Sequence, residues 1–85
     1  MTFEEAAEKV KHLKGSPSND ELLETYALYK QATTGDNTTS KPGMLDPKGK
    51  AKWDAWTSKK GTSSDDAKTK YVAHVNALVS KYGSK

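Results

Sequence analysis

The sequence predicts an all-α protein, on three observations. Four segments repeat apolar residues at spacings of three and four, which is the period of one face of an α-helix. Each segment begins at a residue that favours a helix N-terminus, and a glycine follows each of the first three. No segment shows the sustained alternation of apolar and polar residues that is typical of a half-buried β-strand. With 85 residues the chain has room for one domain, which is predicted to comprise residues 1–85.

The first helix is predicted between Thr2 and Gly15. Thr2 is a typical capping residue, and Glu5 three residues later completes a capping box, in which each side chain accepts a hydrogen bond from the backbone N–H of the other residue. The apolar face of this helix has five members at helical spacing: Phe3, Ala6, Ala7, Val10 and Leu13. Gly15 then ends the periodic pattern.

The second helix has the clearest pattern in the sequence. It is predicted to begin at Ser18 or Asn19, where Glu21 completes another capping box, and to continue to Gly35. Its apolar and aromatic side chains follow helical spacing: Leu22, Leu23, Tyr26 and Tyr29. The polar segment 36–45 has no period and contains several turn-forming residues, so we expect a long loop there.

Two further helices are predicted in the C-terminal half. Asp46 and Pro47 are typical of an N-terminal cap followed by proline at the first helical position, and this third helix is expected to end at Gly61. Thr62 or Ser63 would cap the fourth helix. The short connections before the second and fourth helices favour antiparallel neighbours, whereas the long loop allows another arrangement of the second and third.

The composition excludes several classes of function. Without cysteine the chain has no disulfide framework and no thiolate for a metal or a nucleophile, which fits a reducing compartment, with the cytosol as the expected location. His12 and His74 do not form a metal-ligand spacing, so no metal site is expected. We also expect no catalysis, because neither a nucleophile elbow nor a glycine-rich phosphate loop is present. The N-terminal residues do not show the basic start and apolar stretch of a secretory signal, so we expect none, and no apolar stretch approaches the ~20 residues that span a membrane.

Positive charge is concentrated in residues 41–60, which contain six lysines and two aspartates and carry a net charge of +4, whereas the whole chain carries +3. All cationic side chains are lysine, so bidentate recognition of DNA bases, for which arginine is suited, is not favoured. Lysine remains suitable for phosphate groups.

One candidate binding cluster lies on the second helix. Tyr26, Tyr29 and Lys30 are three and four residues apart, so two phenol rings and an ammonium group share one side of the helix. This combination suits a nucleotide, because a ring face accommodates a purine and lysine attracts phosphate. The alternative interpretation is that both tyrosines are half-buried core residues and that Lys30 is solvated.

A second candidate cluster lies at the start of the third helix. Lys48, Lys50 and Lys52 lie near a helix N-terminus, where free N–H groups also attract anions, and Lys48 and Lys52 are one turn apart. The alternative interpretation is that these lysines form a solvated charged face. Trp53 and Trp56 follow, and we interpret this pair as residues that clamp the bundle. An alternative function, a helical module that binds nucleic acid or another anionic ligand, fits the same lysines and indoles.

Two long segments resemble a known family. Residues 26–36 read Tyr-Ala-Leu-Tyr-Lys-Gln-Ala-Thr-Thr-Gly-Asp, and residues 41–56 read Lys-Pro-Gly-Met-Leu-Asp-Pro-Lys-Gly-Lys-Ala-Lys-Trp-Asp-Ala-Trp. In this order they resemble the signature of the acyl-CoA-binding proteins, and the resemblance extends over the whole chain. It implies a four-helix bundle with up-down-down-up topology that binds one medium- to long-chain acyl-CoA ester. It further implies a monomeric cytosolic carrier without a cofactor or nucleic-acid partner, which contacts membranes or enzymes only transiently during ligand transfer.

The resemblance also implies roles for individual residues. Its ligand-contacting positions are Lys11, Tyr26, Ala27, Leu28, Tyr29, Lys30, Lys48, Lys52 and Tyr71. Among them, Tyr29 would lie near the adenine and Lys30 near the 3′-phosphate. The acyl chain would lie near Ala7, Leu22 and Leu23. Pro47 departs from the pattern, because many members have an aromatic or apolar residue there, and a different preference for chain length would follow if that position lines the acyl groove.

Overall fold

A computed structural model of the chain describes residues 1–43 and 45–84. Within these ranges the chain forms four α-helices and no β-strand: α1 (Phe3–Lys9), α2 (Asn19–Thr33), α3 (Pro47–Thr57) and α4 (Ser64–Tyr82). A 3₁₀ turn, Val10–His12, continues α1. The predicted all-α class is confirmed. Met44, in the predicted loop, and Lys85, at the end of the predicted domain, lie outside the described residues.

The helices begin at their predicted capping residues. Thr2 and Ser18 each form a complete capping box with the glutamate three residues on. Asp46 and Ser63 cap α3 and α4 by accepting a hydrogen bond from the backbone N–H three residues on, at 3.0 and 3.1 Å. In the part of the chain that the structure describes, no helix is both long and apolar enough to cross a membrane.

The end of α3 differs from the sequence-based prediction. The pattern predicts a helix that reaches Gly61, whereas α3 ends at Thr57. Beyond it the backbone tightens, because the N–H groups of Lys59 and Lys60 bond carbonyls three residues back, at 3.0 and 3.1 Å. Gly61 then adopts a φ of +89°, which favours glycine, and leads the chain into the cap of α4. The prediction was wrong by about one turn, since lysine favours a helix and the pattern does not reveal a tightened end.

Contacts between side chains, together with one backbone bridge between Leu13 and Ser84, give the directions of the helices. Three contacts proceed forward along α2 and backward along α4: Glu21 with Tyr82, Thr25 with His74, and Tyr29 with Tyr71. These two helices are therefore antiparallel. Two contacts proceed forward along both α2 and α3: Tyr26 with Lys52, and Lys30 with Trp56. Two contacts align the first segment with α4: Phe3 with Tyr71, and Leu13 with Ser84. The resulting order is up-down-down-up, as predicted.

The packing partners of the helices follow their order in the chain only in part. The backbone of α2 packs against those of α3 and α4, and α1 packs against α4. Among the described residues, the backbones of α1 and α2 do not approach closely, and neither do those of α3 and α4. The predicted antiparallel direction is therefore present in both pairs, whereas the prediction that their backbones pack together was wrong. The physical reason for the first pair is that the connection is fixed to the end of α4, where the Lys14 N–H donates to the Gly83 carbonyl at 3.0 Å. Side chains of α1 and α2 still meet, since the ring of Phe3 stacks on that of Tyr29.

The long loop is fixed to α3 by two indoles and a buried amide. The indole N–H of Trp56 donates to the Gly35 carbonyl at 2.8 Å, and that of Trp53 donates to the Thr39 carbonyl at 3.1 Å. The buried side chain of Asn37 donates to a threonine hydroxyl of α3 at 3.0 Å. The tryptophan pair thus clamps loop and helix together, as we interpreted it from the sequence.

Acid should weaken the contact between α2 and α4 at Glu21. Hydrogen bonds from the Tyr82 hydroxyl, the Ser18 N–H and the Lys81 ammonium lower the pKa of Glu21 to about 2, from an ordinary 4.5. Because the pKa is lower in the folded state, this stabilisation is complete above about pH 4.5 and is lost as the pH falls towards 2. We expect the urea concentration at the midpoint of unfolding to decrease as the pH is lowered through this range. The Glu21→Gln variant should lack part of that decrease.

The matched control for Glu21→Gln is Glu4→Gln, on the exposed side of α1. Glutamine at position 21 can still complete the capping box, so the variant isolates the charge. The control variant should keep the acid dependence of the unmodified protein. If Glu21→Gln kept it as well, Glu21 would not be the source of the acid sensitivity.

Candidate ligand-binding site

An open groove of about 400 Å³ lies between the N-terminal halves of α2 and α3. Four apolar residues line it: Leu22, Leu23, Pro47 and Ala51. Leu22 is 49% exposed although it belongs to the clearest helix of the sequence, so this part of α2 presents apolar surface to the groove and to solvent. A concave apolar surface of this kind suits an alkyl chain, which gains free energy by leaving water.

Two lysines of α3, Lys48 and Lys52, line the same groove. The Nζ atom of Lys52 lies 5.5 Å from the ring centroid of Tyr26 on α2. The reciprocal pair lies further along, where the Nζ atom of Lys30 on α2 is 4.9 Å from the Trp56 ring of α3. A ring attracts an ammonium group without neutralising it, so both lysines are held in place while their charge remains available to phosphate.

A second group of aromatic rings lies where α1, α2 and α4 meet. The rings of Phe3 and Tyr29 stack with centroids 5.7 Å apart, and Tyr71 lies 6.0 Å from Tyr29 at a tilt of 56°. Tyr29 is 42% exposed, which leaves part of its ring accessible to a planar ligand. Tyr71 lies buried beneath it, and this burial, with a smaller contribution from Tyr29, raises the pKa of the Tyr71 hydroxyl.

The remaining predicted site residues lie elsewhere. Ala27 and Leu28 are buried, and Leu28 belongs to the core cluster, so their side chains face the interior. Ala7 packs beside that cluster. Lys11 is exposed on the 3₁₀ turn, with its Nζ atom 3.6 Å from the Glu8 carboxylate. None of the four is among the residues that line the groove, and their contacts with a ligand stay predictions.

Sequence reasoning missed four contributors to the site, one of which, Asn19, lines the groove at the start of α2 and was considered only as a helix cap. Ala51 lines the groove one turn after Pro47. The sequence already showed that these two residues are four apart and share one face of the third helix.

Phe3 supports Tyr29, and Trp56 supports Lys30. The sequence assigned Phe3 to packing, and it assigned Trp56 to clamping the bundle or, in the alternative function, to nucleic-acid binding. These pairings depend on the tertiary arrangement of helices and could not be read from spacing.

The histidines have ordinary surroundings. The Nε2 atom of His74 lies 2.7 Å from the Thr25 hydroxyl, and His12 is exposed, with its Nε2 atom 3.9 Å from the Glu8 carboxylate. Over residues 1–43 and 45–84, no three histidine or acidic side chains are grouped so that they could hold a metal ion.

Comparison with known proteins assigns the chain to a family. Residues 1–75 match the family model described as "Acyl CoA binding protein". The chain is 63% identical to acyl-CoA-binding protein homolog 1 of Caenorhabditis elegans over 84 residues, which is 99% of this chain and 98% of that protein. It is 54% identical to the acyl-CoA-binding protein of Saccharomyces cerevisiae over 82 residues, which is 96% and 94% of the two chains.

Solved structures agree in fold. The crystal structure of Oryza sativa acyl-CoA-binding protein 2 is similar with a TM-score of 0.89 at 44% identity, covering 93% of this chain and 88% of that one. The solution structure of the yeast acyl-coenzyme A binding protein is similar with a TM-score of 0.76 at 54% identity, covering 96% and 95%. By family model, sequence identity and fold together, the chain belongs to the acyl-CoA-binding protein family.

Proposed function

We propose that this protein binds one medium- to long-chain acyl-CoA ester in the groove between α2 and α3 and acts as a carrier of such esters in lipid metabolism. The observation that carries this proposal is the meeting of two chemistries in one groove. Leucines of α2 form an apolar wall, and lysines held by aromatic rings lie along the same seam, which is the line where α2 and α3 pack together. An acyl-CoA ester has phosphate groups at one end and an alkyl chain at the other. A site that binds the whole ester therefore requires both the lysines and the apolar wall.

Each part of the site has a proposed role. Lys30, Lys48 and Lys52 bind the phosphate groups, because their ammonium groups form charge-assisted hydrogen bonds with phosphate oxygens. Tyr26 and the exposed ring of Tyr29 contact the nucleotide. Leu22 and Leu23 contact the acyl chain. Further contacts are proposed for Lys11, Tyr71, Ala7, Ala27 and Leu28.

The proposed mechanism is sequestration without chemical change. Covering the alkyl chain removes it from water, which suppresses micelle formation and membrane insertion of the ester. Release then delivers the ester to enzymes or membranes through transient contact. We propose that one monomer in the cytosol, folded as a single domain and without a cofactor, performs this role. Family membership supports it over the nucleic-acid-binding alternative.

Titration calorimetry with three ligands tests the function. We expect tight one-site binding of palmitoyl-CoA and much weaker binding of free palmitate and of coenzyme A, because each of these provides only half of the required contacts. Equal affinity for palmitate and its ester would contradict a site built for both ends. In the same samples, release of free thiol from the ester above the rate in buffer would reveal a thioesterase instead of a carrier.

A further inference from the structure

The stripe of α2 that lines the groove begins with a polar residue. Asn19, Leu22 and Leu23 all line the groove, and their spacing of three and four continues to Tyr26, which contacts Lys52 across the seam. Residues at this spacing lie on one side of a helix. At the first position of the stripe, where the pattern of an apolar face requires a hydrophobic side chain, the chain has an exposed asparagine.

Asn19 lies at the outer end of the groove. The contact of Tyr26 with Lys52 gives the parallel register of α2 and α3. In this register Asn19 is level with the residue two positions before Pro47, the first residue of α3 that lines the groove. With a rise of about 1.5 Å per residue, Asn19 is about 10 Å along α2 from Tyr26. The apolar lining of the groove therefore extends from Tyr26 towards the start of α2 and ends at Asn19.

The side chain of Asn19 is not needed to begin α2. Ser18 caps this helix and forms a complete capping box with Glu21, through hydrogen bonds of 2.8 and 3.2 Å. A leucine at position 19 would leave this cap in place, and leucine favours a helix more than asparagine does. The residue at position 19 can therefore be changed at the groove without disturbing the start of the helix.

We propose that Asn19 determines specificity for the length of the acyl chain, because a chain that reaches it meets an amide instead of an apolar wall. An amide that an alkyl chain covers loses hydrogen bonds with water and receives none in return, which costs free energy. A methylene that lies against Leu22, Leu23 or Ala51 instead leaves water for an apolar surface. This inference rests on the proposed function, since it requires the alkyl chain to lie in the groove.

The Asn19→Leu variant tests the assignment. It continues the apolar stripe by one position, so we expect it to bind palmitoyl- and stearoyl-CoA about fourfold more tightly than the unmodified protein does, which corresponds to about one further buried methylene. Octanoyl-CoA should bind both proteins equally, because its shorter chain ends before position 19. Titration calorimetry of the three esters with both proteins measures the change.

Two further variants provide the controls. Asn76→Leu makes the same replacement at an exposed position of α4 away from the groove and should leave the three affinities unchanged. Asn19→Asp puts a charge at the end of the groove, which costs more to cover than an amide, while an acidic residue in the first turn favours the helix. Any effect of this charge on the phosphate groups is the same for every ester, so the ratio of palmitoyl-CoA affinity to octanoyl-CoA affinity should fall.

The outcomes separate this inference from the proposed function. If the unmodified protein binds long esters more tightly than short ones and Asn19→Leu has the same dependence on chain length, Asn19 does not determine specificity, although the carrier function stands. An equal gain for all three esters would also overturn the inference, because a residue at the end of the groove should act only on chains that reach it. If the unmodified protein bound none of the esters, both the inference and the proposed function would be wrong.

Discussion

Replacing Lys30 and Lys52 together by alanine should lower the affinity for palmitoyl-CoA by about two to four orders of magnitude. A charge-assisted hydrogen bond contributes about 1.5–3 kcal/mol, and the two lysines approach the seam from different helices, so their losses should largely add. Titration calorimetry measures the change. The enthalpy should become less favourable, because contacts with phosphate are lost while the contact with the alkyl chain remains.

The stability of the same double variant provides the control on folding. Each lysine contacts one ring across the seam, and an exposed cation–π contact contributes about 0.5–1 kcal/mol, so the free energy of unfolding should fall only slightly. The matched pair Lys9→Ala and Lys70→Ala should leave the affinity within about threefold, since distant exposed charges are screened by salt. If the Lys30 and Lys52 variant kept its affinity and lost its stability, both lysines would be structural.

The helix starts could be predicted from the sequence because a cap is a local device. Thr2 and Ser18 bond a glutamate three residues away, so sequence spacing contains all the geometry that is needed. The end of α3 was missed because the backbone after Thr57 tightens through hydrogen bonds between N–H and carbonyl groups three residues apart, which any residue can form. The lysines in this turn favour a helix, so the sequence does not indicate that the helix ends there. The packing of α1 against α4 was missed because the connection after α1 is fixed to the far end of α4, a contact between residues about 70 apart in the chain.

The sequence predicted which types of residue form the site, but it did not predict which residues of α2 and α3 contact each other. Spacing placed Tyr26 and Lys30 on one side of α2, and the resemblance assigned them to a nucleotide. That each is paired with a residue of α3 follows from the parallel packing of the two helices. This packing is fixed by indole and amide bonds between the long loop and α3, such as that of Trp56 with Gly35. Such bonds depend on the folded loop and leave no periodic signal in the sequence.

Affinity should rise by about two to three orders of magnitude from octanoyl- to palmitoyl-CoA in the unmodified protein. Burying a methylene gains up to about 0.8 kcal/mol, but each carbon also loses torsional freedom when it is bound, so the observed gain per methylene should be about half of this value. The contacts of the lysines are the same for every ester, and the slope of log affinity against log salt should therefore stay constant through the series. Dissociation constants at two salt concentrations measure both quantities.

Filling the groove should remove this dependence on chain length. Ala51 lines the groove together with the leucines of α2 and the lysines of α3, and an indole at this position would occupy space that we assign to the alkyl chain. We expect Ala51→Trp to bind octanoyl- and palmitoyl-CoA with similar affinity and to bind coenzyme A as the unmodified protein does. Ala73→Trp, on the exposed side of α4, adds the same bulk away from the groove and should keep the full dependence of affinity on chain length. If Ala51→Trp also kept this dependence, the acyl chain would lie outside this groove. A flat dependence in the unmodified protein would mean that the chain stays in water and that the site recognises only the nucleotide.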